Sequence, residues 1–307
     1  MTPSRTVDRT ATPGEVDPGS TPEPASLVVG LIGSGIGASF SPALQEGEAR
    51  AQGVALAYRI IDLDRIGTAP TDVAAILDWG QLLGFDGFNV THPAKQMVRE
   101  FLHEESEAAT LLGAVNTVVL REGRRVGHNT DWVGFDRGLR WQLGAVEGPV
   151  VVLGAGGAGA AVVHALLARD LEVRVSDLDP GRVADLVERL GAHHPSGRLV
   201  AVRDLAADLA SARGLVNATA VGMAAHPGIP LDADLLRPEL WVADCVYRPL
   251  DTELLRAARG RGCRVAHGGG MAVYQAAAGF ELFTGRSADP DRMTTHLEAL
   301  IADPANA

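Results

Sequence analysis

The sequence predicts an α/β protein built from two units, and three observations support this fold class. Its 307 residues correspond to about two domains, at roughly 100–200 residues per domain. From Leu27 onward, short β-branched runs alternate with longer Ala- and Leu-rich segments, which is typical of parallel strands joined by helices. The entirely apolar run Val150–Leu153 indicates a strand that is buried on both faces.

The amino-terminal segment, residues 1–26, is predicted to be a disordered tail. Five prolines interrupt Thr, Ser, Gly and charged residues there, and almost nothing apolar is available to bury. No apolar stretch of secretory-signal length follows its arginines, so we do not interpret this segment as a signal peptide.

The first unit is predicted to contain three strands, three helices and a closing hairpin. Its strands are predicted over residues 27–32, 55–61 and 85–90, and its helices over 42–52, over 71–83 and from Pro93 onward. Ser41 is predicted to cap the first helix, because Ser favours that position and Pro42 favours the first turn. Two runs, 115–120 and 124–128, flank Glu122 and Gly123 and predict a β-hairpin, so the first sheet is expected to be mixed.

The second unit is predicted to begin near Pro149 and to alternate strands with helices. Its strands are predicted over 150–153, 172–177, 198–202, 214–217, 240–246 and 264–266. Its helices are predicted over 156–169 and 180–190, and two closing helices over 271–284 and 290–302. This alternation predicts a parallel sheet.

Composition excludes several classes of protein. Apolar residues make up 46% and charged residues 21%, which excludes a fully disordered chain, a collagen and a coiled coil. The net charge of −11 repels phosphate backbones, so nucleic acid is not an expected partner, and no apolar run approaches the roughly 20 residues of a membrane helix. Two cysteines, Cys245 and Cys263, fit a reducing cytoplasm, and neither they nor the nine histidines show metal-ligand spacing, so no metal is expected.

A glycine-rich loop follows the apolar strand and matches the pattern G-x-G-x-x-G. Its residues are Gly154, Ala155, Gly156, Gly157, Ala158 and Gly159. The loop opens an Ala-rich helix, whose free N–H groups and partial positive charge suit the phosphates of a dinucleotide. This context predicts a Rossmann dinucleotide-binding domain in the second unit.

The following strand ends in Asp177, eighteen residues after Gly159, where an acidic residue is expected to bind the ribose hydroxyls. A carboxylate at this point repels a 2′-phosphate, so NAD is favoured over NADP. Arg182 argues against this preference for NAD, because it could face the adenine or bind the 2′-phosphate of NADP. Asp179 adds a second negative charge or simply caps the helix that begins at Pro180.

One residue stands out by its rarity: of the 27 basic residues, 26 are Arg and one is Lys95. Arg is effectively always protonated, whereas a Lys amine can lose its proton in suitable surroundings. Lys95 is therefore a candidate acid/base, with chance survival in an Arg-rich chain as the alternative. Polar loops at 33–42, 89–95, 113–117 and 127–131 follow or flank predicted strands and are expected to converge at one end of the sheet.

Seven short motifs together resemble the shikimate dehydrogenase family from Leu27 to about Met293. They are S-x-S-P at Ser39 and Ser41, N-V-T-x-P-x-K at 89–95, A-V-N-T at 114–117, N-T-D at 129–131, the glycine loop, N-A-T at 217–219 and M-x-x-x-Q-A at 271–276. The stretches D-L-D at 177–179 and M-A-A-H-P-G at 223–228, with Ala38 where many members have His, resemble the NAD-dependent quinate/shikimate branch.

The resemblance implies roles for particular residues. Lys95 and Asp131 form the catalytic pair, although Asp131 alone could cap a helix. The residues implied to bind substrate are Ser39 and Ser41 at a carboxylate, Thr91, Asn116 and Gln275 at ring hydroxyls, and Tyr247 at the domain cleft. Those implied to line the nicotinamide are Thr219, Met223, Val246, Gly268 and Met271.

The implied activity is dehydrogenation of shikimate to its 3-dehydro ketone. Quinate use stays open, because quinate-using relatives often have Thr where Ser41 stands. An N-terminal mixed-sheet substrate domain is expected over 27–135, completed by helices in 271–302, with the Rossmann domain over 136–270 and a monomer or homodimer as the assembly. The alternatives are an NADP-dependent biosynthetic enzyme, an enzyme for an aminated analogue, and a regulatory domain that senses NAD and a cyclic acid without turnover.

Overall fold

The computed structural model describes residues 26–194 and 198–303. The predicted tail lies outside these residues, except for Ser26, which begins the first strand. Two six-stranded sheets organise the chain, as the sequence predicts. Among the described helices, none is both long enough and apolar enough to cross a membrane.

The first sheet is mixed. Its strands are β1 (Ser26–Gly33), β2 (Ala55–Asp62), β3 (Gly87–Val90), β4 (Glu104–Glu105), β5 (Thr117–Arg121) and β6 (Arg124–His128). Their order is β2-β1-β3-β5-β6-β4, in which β5 is antiparallel to both β3 and β6. The β5–β6 hairpin turns at Glu122 and Gly123, which both have positive φ, so the predicted hairpin is confirmed.

The second sheet is entirely parallel. Its strands are β7 (Val150–Leu153), β8 (Val173–Ser176), β9 (Leu199–Ala201), β10 (Gly214–Asn217), β11 (Trp241–Asp244) and β12 (Arg264–Ala266). Their order is β12-β11-β10-β7-β8-β9, so the chain reverses direction across the sheet between β7 and β10. This is the Rossmann order, and it places the ligand crevice at the carboxyl ends of β7 and β10.

Eleven α-helices are described in residues 26–194 and 198–303. They are α1 (Ser41–Ala51), α2 (Leu63–Ile66), α3 (Val73–Leu82), α4 (Glu107–Leu112), α5 (Asp131–Leu143), α6 (Gly157–Leu167), α7 (Pro180–His193), α8 (Leu205–Ser211), α9 (Glu253–Gly260), α10 (Gly268–Thr284) and α11 (Pro290–Ala302). Helix α6 packs on β7 and β8 through an Ala- and Val-rich buried face, which forms the core of the second unit.

Helices α5 and α10 pack closely against each other and connect the two units. A methyl group at Gly134 would lie 2.7 Å from the Met271 carbonyl oxygen, and one at Gly138 would lie 2.6 Å from the Gly270 carbonyl carbon. These glycines therefore allow the two helix backbones to approach. The proposed domain limits, 135/136 and 270/271, fall inside these two helices.

Two local predictions are wrong. Ser41 is the first residue of α1 instead of its cap, because the helix already begins after Phe40, and the Ser41 amide donates to Ser39 Oγ at 3.2 Å. Pro93 opens a turn, which is followed by a 3₁₀ helix, Met97–Phe101, instead of an α-helix. The carbonyl of Lys95 accepts from the Val115 amide at 2.9 Å, so a contact between distant segments takes the place of an α-helical hydrogen bond.

Candidate active site at the cleft between the sheets

The solitary lysine contacts the carboxylate that the sequence motifs pair with it. Lys95 Nζ lies 2.7 Å from Asp131 Oδ2, although the two residues are 36 positions apart. Lys95 lies in the turn that follows β3, and Asp131 is the first residue of α5. The Lys95 side chain is 22% exposed and that of Asp131 only 9%, so the amine can reach a ligand while the carboxylate stays largely buried.

Asn116 fixes the other carboxylate oxygen of Asp131. Its Nδ2 donates to Asp131 Oδ1 at 2.9 Å, and its Oδ1 accepts from the Thr130 amide at 2.8 Å. The Asp131 amide in turn donates to Asn129 Oδ1 at 3.0 Å. Asp131 does not cap α5, because Thr130 occupies that position. Both of its oxygens instead have side-chain donors, which fixes the carboxylate beside the amine.

Ser39 and Ser41 form a second polar group on the substrate side. Ser39 Oγ lies 3.1 Å from Ser41 Oγ. Tyr247 from the loop after β11 lies near Ser39, and Tyr58 from β2 lies near Ser41. Burial raises the pKa of both tyrosines, so both phenols are neutral at pH 7. Hydroxyl groups that donate from such a site suit a carboxylate ligand.

Buried side chains connect these serines to the Lys95–Asp131 pair. Tyr58 Oη donates to Asn89 Oδ1 at 2.8 Å, and Asn89 Nδ2 donates to Thr117 Oγ1 at 3.0 Å. Thr117 Oγ1 continues to Asn116 Oδ1 at 3.1 Å. Sequence reasoning placed Asn89 inside a motif but gave it no role, and it missed Tyr58. A tyrosine in a half-buried strand, whose hydroxyl needs a partner, was the available signal.

The remaining predicted substrate residues lie around this group. Thr91 packs over Gly33, where an added methyl group would lie 2.4 Å from Thr91 Cγ2. The backbone carbonyl of Gln275 on α10 accepts from Thr130 Oγ1 at 3.2 Å, so Gln275 lies beside the residue that precedes Asp131. The structure therefore brings Thr91, Asn116 and Gln275 to the same end of the first sheet as Lys95.

The glycine loop has the geometry of a dinucleotide cradle. Gly154 has a φ of +104°, and a methyl group at Gly159 would lie 2.0 Å from the Gly154 carbonyl oxygen, so both positions require glycine. A methyl group at Gly156, by contrast, would meet nothing within 4 Å. This open space at the N-terminus of α6 fits a phosphate group that approaches the backbone.

Asp177 closes one end of this cradle. Its Oδ2 accepts from the Ala155 amide at 2.7 Å, and its Oδ1 accepts from the Asp179 amide at 2.9 Å. Burial raises the pKa of Asp177, but these amide donors and the charge of Arg182 outweigh burial, so the carboxyl is ionised at neutral pH. Arg182 Nε lies 3.6 Å from Asp179 Oδ2, and Asp179 also caps α7, as predicted.

Asp244, which sequence reasoning missed, organises the loops that are predicted to line the nicotinamide. Its Oδ1 accepts from the Val246 amide and from Asn217 Nδ2, each at 3.0 Å, and its Oδ2 accepts from Thr252 Oγ1 at 2.7 Å. Asn217 Oδ1 in turn accepts from Thr219 Oγ1 at 2.7 Å. One buried carboxyl therefore holds the loops that carry two predicted cofactor residues, Thr219 and Val246. An acidic residue at the end of an apolar strand was the feature of the sequence that could have singled out Asp244.

Thr219 and Val246 also lie close to glycines of the second unit, whereas Met223 is exposed. Thr219 Cγ2 would lie 3.2 Å from a methyl group at Gly154, and the Val246 carbonyl oxygen 2.5 Å from one at Gly268. Met271 follows on the same helix as Gly268. Met223 is 43% exposed, and the backbone hydrogen bonds described for it stay within its own loop.

The two sides face each other across a short gap. A methyl group at Gly157 of the cofactor loop would lie 4.0 Å from Lys95 Cδ on the substrate side. The glycine loop and the lysine–carboxylate pair thus line one cleft between the two sheets. The fold and the site together define a two-domain α/β protein of the dinucleotide-binding class.

Comparisons with known proteins define the family. Residues 31–118 match the shikimate dehydrogenase substrate binding domain, and residues 268–298 match the shikimate 5′-dehydrogenase C-terminal domain. A shikimate dehydrogenase (NADP(+)) of Streptomyces avermitilis is 52% identical over 284 residues, which cover 91% of this chain and 98% of the relative. A quinate/shikimate dehydrogenase (NAD(+)) of Corynebacterium glutamicum is 45% identical over 273 residues, which cover 87% and 96%.

A solved structure agrees with these relatives. Quinate dehydrogenase from Corynebacterium glutamicum in complex with NAD superposes with a TM-score of 0.84 at 43% identity, covering 90% of this chain and 100% of that chain. The chain belongs to the shikimate dehydrogenase family. The resemblance drawn from the seven motifs is thereby confirmed.

Proposed function

We propose that the chain is an NAD(P)-dependent dehydrogenase that interconverts shikimate, with quinate as a second substrate, and the corresponding 3-dehydro ketone. The observation that carries the proposal is the 2.7 Å contact between Lys95 Nζ and Asp131 Oδ2 beside the cofactor cradle. Relatives named for both substrates support it, because they match nearly the whole described chain.

The chemistry needs a base, because the oxidation of a secondary alcohol releases a proton and a hydride to different acceptors. In the proposed reaction the neutral Lys95 amine accepts the hydroxyl proton, and Asp131 orients that amine. In the reverse direction the Lys95 ammonium donates to the carbonyl oxygen and stabilises its developing negative charge. The dinucleotide, when bound, supplies the nicotinamide ring that exchanges the hydride.

The substrate would lie between the serines and the catalytic pair. In this arrangement Ser39 and Ser41 donate to the carboxylate, while Thr91, Asn116 and Gln275 bind ring hydroxyls. Each of these side chains can both donate and accept, as a polyol requires. The carboxylate anchor and the reacting hydroxyl are then held at opposite ends of one polar network, which fixes the orientation of the ring.

We further propose that the cofactor is NAD in preference to NADP. The ionised carboxylate of Asp177 lies beside the Ala155 amide, where it would accept from the ribose hydroxyls and repel a 2′-phosphate. Arg182 Nε lies 3.6 Å from Asp179 Oδ2, so its positive charge is already partly balanced by a carboxylate. This weakens the case that Arg182 binds a 2′-phosphate. The relatives include both NADP(+)-named and NAD(+)-named enzymes, so this preference rests on Asp177.

Parallel steady-state assays with NAD and NADP test the cofactor preference. We expect a higher kcat/KM with NAD than with NADP. In Asp177→Asn the difference between these two values should become smaller, because the charge that repels the 2′-phosphate is removed. Asp185→Asn is the matched control, since it removes an exposed carboxylate further along α7, and its ratio of kcat/KM values should stay near that of the wild type. An equal or higher kcat/KM with NADP in the wild type would refute this interpretation of Asp177.

A substrate panel tests the activity itself. Shikimate, quinate and their aminated analogues are each offered with both cofactors, and reduced nicotinamide is followed by absorbance. We expect turnover of shikimate with formation of the ketone. If the acids bind in calorimetry but none is oxidised, the chain is a sensing domain instead of an enzyme.

The domain limits, the assembly and the location belong to the same proposal. We place the substrate domain at 27–135 with helices of 271–302, and the Rossmann domain at 136–270. The thiols of Cys245 and Cys263 are both free, which supports a reducing cytoplasm. A monomer or a homodimer is compatible with a site whose proposed residues all come from one chain.

A further inference from the structure

An arginine from the cofactor side reaches across the cleft to the loop that carries the first serine. Arg248 lies four residues after the end of β11. Its Nη1 donates to the Ala38 carbonyl at 2.5 Å, a contact that spans 210 residues of sequence. Its Cζ lies 4.7 Å from the centre of the Phe40 ring, within the range of a cation–π contact. Arg248 therefore contacts the residues on both sides of Ser39.

The neighbouring tyrosine points to the same place. Tyr247 lies near Ser39, and burial raises its pKa while the positive charge of Arg248 acts in the opposite direction. The guanidinium thus favours negative charge at the Tyr247 hydroxyl, and its contacts with Ala38 and Phe40 place it beside Ser39. A carboxylate bound at Ser39 would lie in this positive field.

The 34–41 loop itself offers no cation to an anionic ligand. Residues 34–41 contain no Lys or Arg, and the chain has a net charge of −11. On the first unit, Asp62 lies under the loop and accepts from the amides of Gly35 and Ile36, each at 3.1 Å. The amine of Lys95 is already paired with Asp131. Among the charged residues described around this loop, Arg248 supplies the positive charge next to Ser39.

We propose that Arg248 is a positioning residue that holds the second unit against the 34–41 loop and supplies the charge by which the site favours an anionic substrate. This rests on the proposed function, because the anion is the carboxylate of the cyclic acid. The planar guanidinium suits both tasks, since it stacks on Phe40 and donates in its own plane to Ala38.

The kinetic test compares Arg248→Met with Arg256→Met. Arg256 also follows β11, but its contacts stay on the second unit at Asp251. In Arg248→Met we expect KM for shikimate to rise about tenfold, as for loss of a charge-assisted contact, with KM for the dinucleotide unchanged. Arg256→Met should resemble the wild type. Arg248→Lys should recover part of the loss, because it keeps the charge but not the planar stacking.

A neutral substrate separates charge from general damage. With the methyl ester of shikimic acid, the rise in KM from the wild type to Arg248→Met should be smaller than the rise for the acid, because only the loss of loop holding then remains. An equal rise in KM for the acid and the ester would contradict the electrostatic role. A KM for the acid in Arg248→Met that matches Arg256→Met would overturn the proposal altogether.

Hydrogen–deuterium exchange provides a readout that needs no substrate. In the ligand-free protein, peptides covering residues 34–41 should exchange faster in Arg248→Met than in the wild type or in Arg256→Met. Unchanged exchange would contradict the holding role. If the wild type oxidises none of the acids, the proposed function fails, and the exchange result alone then decides whether Arg248 holds the loop.

Discussion

The two sides of the cleft are built in different ways. The cofactor side consists mainly of backbone groups from six consecutive residues, Gly154 to Gly159, with Asp177 at one end. The substrate side consists of side chains from separate segments, among them Ser39, Lys95 and Asp131. A site made of backbone depends on local conformation, whereas a site made of side chains depends on how the sheet brings distant loops together.

This difference determines which substitutions matter. On the substrate side, a single truncated side chain removes a chemical group and leaves the loops in place. On the cofactor side, added bulk at a glycine removes no group but blocks a close approach. Substitutions on the two sides should therefore impair different properties of the protein, and three sets of variants test this.

The largest effect is expected at Lys95. Lys95→Ala should lower kcat by roughly 10²–10⁴-fold, the usual range for a lost acid/base group. Lys95→Arg should stay in the same low range, because Arg keeps the charge but does not release its proton near neutral pH. Steady-state kinetics measure kcat, and quenching of intrinsic fluorescence measures dinucleotide affinity, which both variants should keep.

An unchanged kcat in Lys95→Ala would contradict the proposed acid/base role of Lys95. If Lys95→Ala raised KM for the acid alone, the residue would be a binding group only. If both variants lost dinucleotide binding as well, the two sides of the cleft would be energetically coupled and the comparison drawn above would be wrong.

A pair of glycine variants tests the cofactor side. Gly156→Ala adds a methyl group into open space, so the melting temperature should stay unchanged while KM for the dinucleotide rises about tenfold, equivalent to about 1.4 kcal/mol. Gly159→Ala places a methyl group 2.0 Å from the Gly154 carbonyl oxygen and should also lower the melting temperature. Steady-state kinetics measure KM for the dinucleotide, and thermal scans without ligand measure the melting temperature.

The two variants control for each other. An equal loss of stability in Gly156→Ala would mean that the space above this glycine is needed by the protein itself. If KM for the dinucleotide were unchanged in Gly156→Ala, the proposal that the glycine loop binds the dinucleotide phosphates would be contradicted.

The smallest effect is expected in the scaffold behind the serines. The buried carboxylate of Glu48 on α1 accepts from Arg292 of α11 at 2.7 Å and from Gln52 at 2.7 Å. Glu48→Gln should lower the free energy of unfolding by roughly 1–2 kcal/mol, because a buried charge-assisted contact is lost. Urea unfolding at pH 7 measures this change, and kcat should stay unchanged.

The pH dependence of that difference has a definite sign. Burial raises the pKa of Glu48, but hydrogen bonds from Arg292, Gln52 and the Asp289 amide outweigh burial, so its pKa lies below the ordinary 4.5. A lowered pKa stabilises the fold above 4.5, and this contribution is lost as the pH falls through the lowered value. The gap between wild type and Glu48→Gln should therefore shrink below pH 4.5, and a gap that widens would contradict the assignment.

Much of the fold could be predicted from the sequence, and the errors have physical reasons. The apolar run Val150–Leu153 and the glycine loop lie where predicted, because short-range preferences decide both. The helix expected from Pro93 does not form, because the Lys95 carbonyl bonds to the distant Val115 amide. No window of sequence around Pro93 contains that partner, so local reasoning had no access to it.

In the site, too, some residues could be identified from local sequence and others only from their distant partners. The solitary lysine and the glycine pattern could be singled out from the sequence, because rarity and spacing are properties of the chain alone. Tyr58 and Asp244 offered only their residue type and their place in a strand as a signal, and Arg248 offered none, because each gains its importance from a partner on another element. Arg248 looks like any of the 26 arginines until the fold brings it to Ala38.

The sequence by itself determined the alternation of strands and helices, the position of the dinucleotide loop and the one amine able to exchange a proton. Only the tertiary structure decided that this amine lies 2.7 Å from a carboxylate 36 residues away, and that a cation of the second unit contacts the serine loop of the first. Backbone preferences act over a few residues and can be read along the chain. The convergence of side chains depends on strand order and helix packing, which exist only after the whole chain has folded.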